Sequence, residues 1–277
     1  MHQINRLDLN IAYACNLSCK GCLSLSDFDR RGVMPLEDII KSINIWKDHL
    51  SPKIVSVFGG EPLLHPRLFN IFDLIKIAWP DTTIRLITNG YLLNRIDPER
   101  WFNCVEPFEM QVSIHRLDHE EIITKNVLAI IKQHSDWTMA KVAEEMDGVH
   151  HSYEWYRPGF KIWKSKFGKF VIPYNYENNN LVPFKSNPKK AHSICGNPDV
   201  PILYKNKLYK CAPIANILDL PNAEGFNYNP IDSKTDLDKF VKLIGKPEKI
   251  CSMCPENRSH SVDHYKQGEV IVKQNIS

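Results

Sequence analysis

Between Arg6 and Gln133, short apolar runs alternate with stretches of helical periodicity, and this restricts the fold more than any other feature of the 277-residue chain. Leu7, Leu9, Ile11 and Tyr13 recur at every second residue from Arg6 to Tyr13, the period of a strand. Pro35 opens a helix with Glu37 and Asp38 in its first turn, where negative charge suits the helix dipole. Ile39, Ile40, Ile43 and Trp46 follow at helical spacing. Ile54–Phe58 is a second strand that runs into Gly59-Gly60-Glu61-Pro62, and a helix from Pro66 to Ala78 carries Leu68, Phe69, Phe72, Ile75 and Ile77. Thr83–Ile87, ending in Thr88-Asn89-Gly90, is the third strand, and a short helix near Pro98–Val105 comes next. Glu109–Ser113 is the fourth strand, and His119–Gln133 is helical through Ile122, Ile123, Val127, Ile130 and Ile131. Strands alternating with helices of this length imply an α/β chain with a parallel sheet, here a barrel or partial barrel.

From Ser135 to Ala191 the pattern weakens. Trp137–Val142 is expected as a fifth strand and Lys169–Tyr174 as a sixth, giving a partial (β/α)6 TIM-like barrel. Between them lies an aromatic insertion from Tyr153 to Phe167, and Asn175–Lys190 is expected as a connecting loop. Pro201–Tyr204 and Lys207–Cys211 flank Lys205-Asn206 as a hairpin, and Asp236–Ile244 is a helix ended by Gly245 and Pro247. The polar tail from Glu256 is either disordered or laid across the barrel mouth. No internal repeat is present.

In such barrels the functional groups sit at the C-terminal ends of the strands. Here those ends carry a cysteine loop, Gly59–Pro62, Asn89 and Ser113–Arg116, so every unusual group points to one rim. The loop holds Cys15, Cys19 and Cys22, a C-x3-C-x2-C spacing with no further cysteine in the next eighty residues. Three thiolates can hold three irons of a [4Fe–4S] cube and leave the fourth without a protein ligand. A structural zinc would need a fourth ligand from elsewhere. Cys195, Cys211, Cys251 and Cys254 form a second set, spaced C-x15-C-x39-C-x2-C, which closes a four-thiolate shell suited to an auxiliary cluster or to structural zinc. Cys104 stands alone on the third helix, where an inert buried thiol is expected rather than a hydrogen donor.

Composition excludes several classes. No apolar run reaches the roughly 18 residues that span a bilayer, and Met1–Asn10 alternates polar and apolar residues unlike a signal peptide. A cytoplasmic chain with reduced, metal-binding cysteines is therefore expected, with no membrane partner and no disulfide framework. A net charge of +3 gives no argument for a nucleic-acid partner, and the lysines from Lys161 to Lys190 fit a solvated face.

Cys15-x3-Cys19-x2-Cys22, Gly59-Gly60-Glu61-Pro62 after the second strand and Thr88-Asn89-Gly90 after the third together resemble the radical S-adenosylmethionine (SAM) superfamily, over residues 1 to about 190. The resemblance implies that Cys15, Cys19 and Cys22 ligate a [4Fe–4S] cluster whose open iron is chelated by SAM. Reduction by a donor such as flavodoxin or ferredoxin then yields methionine and a 5′-deoxyadenosyl radical, which abstracts hydrogen from substrate. It further implies that the Gly59, Gly60, Glu61, Pro62 backbone meets the methionine amino group, with glycines permitting close approach. Asn89, Ser113 and His115 are implied as further SAM contacts, with Arg116 adjacent and Tyr13 at a family position without a role. Residues 191–277, with their cysteine set and hairpin, resemble the twitch appendage, a shortened SPASM domain of α+β type holding one auxiliary [4Fe–4S] cluster.

These implications make the expected protein an oxidoreductase-type radical enzyme acting on a small molecule or peptide by dehydrogenation, epimerisation or rearrangement. The alternative is a non-catalytic zinc or iron–sulfur protein with a structural C-terminal metal site. The chain begins at the first barrel strand, which favours a small or independently delivered substrate. Tyr153–Phe170, with Trp155, Tyr156 and Trp163, is the expected place for specificity.

Overall fold

Six parallel strands form the centre of the computed structural model, which describes residues 1–103, 106–140, 144–146, 149–232, 234–266 and 268–273, with side chains left out from 141 to 152. They are β1 (His2–Ala12), β2 (Leu50–Gly59), β3 (Thr83–Thr88), β4 (Phe108–Ile114), β5 (Phe160–Phe167) and β6 (Ile202–Tyr204). Across the sheet the order is β6-β1-β2-β3-β4-β5, every adjacent pair parallel. The edges are antiparallel: Lys207–Tyr209 returns beside β6, while Val149–Arg157 pairs with β5 and Thr138–Ala140 with Val149–Arg157. Among the described residues the two edges do not join, so the barrel is partial.

The strand register separates two faces. Leu7 and Leu9 lie level with Val55 and Val57, then Ile84 and Leu86, then Phe108 and Met110, then Phe160 and Ile162. These side chains share one core with Ile39 and Ile43 of α1 (Leu36–Trp46), Ile71 and Ile75 of α2 (Leu68–Ala78), and Ile123 and Val127 of α3 (Glu120–Ile131). Each alternate residue, by the two-residue period of a strand, points to the other face. That face carries Asp8, Asn10, Ser56, Arg85, Glu109, Gln111, Ser113 and Ser165. It is a polar interior, and its charges are paired: Arg6 with Asp8 at 2.7 Å and Arg85 with Glu109 at 2.7 Å.

The first four strands and the helices α1, α2 and α3 lie where the periodicity puts them. Three expectations for the stretch before Asn175 change. The fifth parallel strand is Phe160–Phe167, inside the stretch expected as an aromatic insertion, and Thr138–Ala140 is an antiparallel edge strand instead. The reason is Lys164, whose charge makes the run look solvated; its ammonium is buried against Thr124 at 2.7 Å and Glu120 at 3.4 Å of α3. Lys169–Val171, expected within a sixth barrel strand, instead pairs with Ser261–Asp263 in a separate ribbon, and β6 fills the sixth place from the opposite edge. Between Thr88 and Phe108 the described chain makes short 3-10 turns, Leu93–Arg95 and Pro98–Trp101, in place of a helix.

The expected loop 175–190 contains a hairpin, Asn175–Glu177 with Asn180–Val182, and a short helix, Pro188–Ser193. The hairpin before Cys211 turns as expected through Lys205 and Asn206, both at positive φ (47° and 69°). Cys104 and the expected strand residues Lys141 and Val142 lie outside the described residues. Among the described residues no helix is long and apolar enough to cross a membrane.

Candidate active site at the strand ends

The cysteine loop leaves the C-terminal end of β1, and two neighbouring strand ends hold it in place. Gly60 N donates to Ala12 O at 2.8 Å and Glu61 N to Ala14 O at 2.9 Å, so the Gly-Gly-Glu-Pro segment at the end of β2 is hydrogen-bonded to the chain just before Cys15. The approach leaves no room for side chains: a Cβ on Gly59 would stand 2.4 Å from Ala12 O, and one on Gly60 2.1 Å from Ala14 O. Here the glycines are needed to bring the two backbones together, a use additional to the expected approach of a ligand.

Glu61 then ties β2 to β3. Its carboxylate is fully buried and accepts from Leu63 N at 3.0 Å and Thr88 Oγ1 at 2.7 Å on one oxygen, and from Asn89 N at 2.9 Å on the other. Burial lifts its pKa from 4.5 to about 7, against the pull of these three donors. Pro62 is buried and opens a 3-10 turn, Pro62–Leu64, that Glu61 caps. Asn89, so anchored, donates its side-chain amide to Asn16 Oδ1 at 2.7 Å and reaches Cys15 Sγ at 3.6 Å. Leu17 N is 3.4 Å from the same sulfur. The amides of Asn89 and Leu17 thus face the position where a Cys15 thiolate would carry its charge.

Cys15 and Cys19 are buried and Cys22 half-buried. Desolvation holds the Cys15 thiol well above the ordinary range, with Glu61 adding to it. The same desolvation raises Cys19, helped by Cys22 and Cys15. Thiols so placed give up their protons to a metal rather than to water. The donor set therefore fits an iron–sulfur cluster: three sulfurs on one buried loop, one receiving N–H donors.

Ser113 is buried on the interior face near the end of β4, level with Ser165 of β5. His115 follows at the mouth, stacked on Phe167 and tilted against Phe170, and Arg116 is held by Asp118 and reaches Val270 O at 3.4 Å. Tyr13 packs edge-on to Tyr204, and Arg30 lies 5.2 Å over its ring. Of the tryptophans expected near specificity, Trp155 packs in the core, while Trp163 lies level with Gln111 on the interior face, with Arg85 5.2 Å over its ring.

The described part of the tail lies across the mouth, the second of the two sequence expectations. Val270–Val272 pairs antiparallel with Leu17–Cys19, Lys20 N donates to Glu269 O at 3.1 Å, and Lys273 N donates to Asn16 O at 2.8 Å. His264 is buried, stacked on Phe170 at 4.3 Å, and its Nε2 lies 2.8 Å from Lys20 O. Sequence reasoning missed Asn16, His264 and Lys273; the only signal for Asn16 is its place between two cysteine-loop residues.

The second cysteine set also gathers. Cys195 follows the helix Pro188–Ser193, Cys211 precedes Ala212–Ile217, and Cys251 lies in the 3-10 turn Lys249–Met253, which Cys254 ends. Burial, then Cys211, Cys195 and Cys251, raise the Cys254 thiol, which places the four sulfurs within mutual electrostatic reach. Lys210 is buried beside them, 2.7 Å from Lys246 O and 3.2 Å from Glu248. From Ala212–Ile217, Asn216 reaches Leu23 O at 3.1 Å and Asn10 at 3.0 Å, joining this region to the cysteine loop.

Comparison with known proteins supplies the family. The model of the radical SAM superfamily matches residues 9–167. Curated relatives include GTP 3',8-cyclase of Aliarcobacter butzleri, 30% identical over 97 residues that cover 34% of this chain and 30% of that protein. Another is the FeMo cofactor biosynthesis protein NifB of Klebsiella pneumoniae, 31% identical over 102 residues, or 33% of this chain and 22% of that one. The chain thus matches less than a third of the length of these relatives. Among solved structures, BtrN in complex with AdoMet and 2-DOIA aligns over 93% of this chain and 97% of that one, at 12% identity and a TM-score of 0.49. With the family model matched from β1 to the end of β5, the chain belongs to the radical SAM superfamily of enzymes.

Proposed function

We propose that Cys15, Cys19 and Cys22 hold a [4Fe–4S] cluster with one open iron, and that SAM binds there against the rim formed by Gly59–Pro62, Asn89, Ser113 and His115. The observation that carries this reading is the buried three-thiol loop at the end of β1, with the Asn89 amide aimed at Cys15 Sγ. Bound together, cluster and SAM supply a 5′-deoxyadenosyl radical when an electron arrives from a flavodoxin- or ferredoxin-type donor. The chain's own part is positional. Glu61 fixes Asn89, Asn89 fixes Asn16 and Cys15, and the tail covers the loop from the solvent side.

The polar interior of the sheet supports a substrate with hydrogen-bonding groups, a small molecule or a peptide side chain, that faces Gln111, Ser113 and Ser165. The reaction class is hydrogen abstraction leading to dehydrogenation, epimerisation or rearrangement. Cys195, Cys211, Cys251 and Cys254, in a twitch-like region from residue 191, hold an auxiliary [4Fe–4S] cluster in this reading. The resemblance of this cysteine set and its hairpin to the twitch appendage supports a cluster over a structural zinc.

Anaerobic reconstitution with iron and sulfide tests the proposal. About eight irons per chain, and 5′-deoxyadenosine on adding SAM and dithionite, are expected. Zinc retained with no SAM cleavage would overturn it.

A further inference from the structure

The tail brings an imidazole to the cysteine loop, and the result is a donor set outside the three-cysteine motif. One ligand atom from each of Cys19, His115 and His264 lies within 4.8 Å of the others, in a site where Cys19 and His264 are buried and His115 half-buried. His264 arrives from 149 residues beyond His115 in the chain, yet their Nδ1 atoms are 3.3 Å apart.

The hydrogen bonds decide which nitrogens are free. His264 Nε2 is 2.8 Å from Lys20 O, and only an N–H can bond to a carbonyl, so Nδ1 of His264 carries the lone pair. A ligating histidine commonly has this arrangement, its far N–H fixed on a backbone carbonyl. Between the two Nδ1 atoms one proton is shared, donated by His115.

We propose that Cys19, His115 and His264 form a mononuclear site for a borderline divalent cation, of the Zn2+ class, in the cluster-free chain. The ion takes the place of the shared proton. His115 moves its N–H to Nε2, the Cys19 thiol releases its proton to solvent, and a fourth position stays open to water. The consequence rests on the reading of Cys19 as a cluster ligand: one sulfur cannot serve both, so an ion held here blocks assembly of the SAM cluster until it is removed.

Co2+ replaces Zn2+ as the probe. Metal-free, anaerobic protein carrying Cys15→Ser and Cys22→Ser is titrated, and the same background is titrated with His264→Phe or with His115→Gln. Phenylalanine keeps the ring against Phe170, and glutamine tests the second donor should the first variant misfold. The background is expected to bind one Co2+ with a tetrahedral spectrum and single-thiolate charge transfer, weakened about 100-fold or more by either histidine substitution, with any Co2+ at the distal cysteines unchanged. Equal affinity and the same spectrum in a folded histidine variant would overturn the site. This outcome does not depend on whether a cluster forms. Zn2+ preloaded on the wild-type chain should then slow cluster reconstitution, and this second measurement alone reports on Cys19 as a shared ligand.

Discussion

Replacing Glu61 with glutamine isolates the bond that joins β2 to β3 behind the cysteine loop. One oxygen accepts from Leu63 N and Thr88 Oγ1, the other from Asn89 N. Glutamine keeps one acceptor; placed toward Leu63 and Thr88, it turns its NH2 against the Asn89 N–H. That amide is then buried without a partner, whereas the hydroxyl oxygen of a protonated Glu61 can still accept from it, a difference of about 1–3 kcal/mol. A second effect runs the other way. Burial raises Glu61 from 4.5 to about 7, so between these values the folded chain holds a proton that the unfolded chain has lost. The wild type therefore loses stability as pH rises through this window, about 2 kcal/mol from this group between pH 5.5 and pH 8, and Glu61→Gln does not. Urea denaturation of metal-free, reduced protein at both pH values measures the difference. The variant should be the less stable at pH 5.5, and the gap should shrink or close at pH 8. A gap that is constant or widens with pH would refute the reasoning.

Three further outcomes follow from the same contacts. Gly60→Ala places a Cβ against Ala14 O, 2.1 Å away before relaxation, and should cost about 1–3 kcal/mol with loss of iron from the loop, read by denaturation and iron assay. Cys254→Ser should leave about four irons per chain and keep SAM cleavage measurable, whereas Cys15→Ala, Cys19→Ala or Cys22→Ala should each abolish it and spare the distal cluster. Ile271→Pro removes the N–H of the residue level with Ser18, which bonds across the ribbon by the alternation that Lys20 N to Glu269 O and Lys273 N to Asn16 O set, so it should speed cluster loss to a chelator while leaving the global unfolding midpoint within a few degrees.

Where the sequence was informative, its signal was periodic and local. Leu7, Leu9 and Ile11 alternate, Ile39, Ile43 and Trp46 recur at helical spacing, and both patterns mark surfaces buried in one core. The rim was legible for the same reason, since strand ends in a parallel sheet share one side. Phe160–Phe167 was not, because burial of Lys164 depends on Glu120 and Thr124, some forty residues earlier. The tail strand is three residues long, too short for the alternation of Val270 and Val272 to stand out, and their packing against Cys15, Leu17 and Cys19 follows only once the tail lies on the loop. His264 gave no signal either. A single histidine in a polar tail acquires meaning only when Ser261–Asp263 pairs with Lys169–Val171 and turns it over Lys20.

The claim at the centre of this account is that the three-cysteine loop carries a cluster with an iron open to SAM. Electron paramagnetic resonance of the reduced, reconstituted chain carrying Cys251→Ser and Cys254→Ser, which removes the distal set, addresses it with the least interference. A reduced [4Fe–4S] signal whose g values shift when SAM is added is the predicted result. A signal indifferent to saturating SAM, or no cluster on Cys15, Cys19 and Cys22, would contradict it.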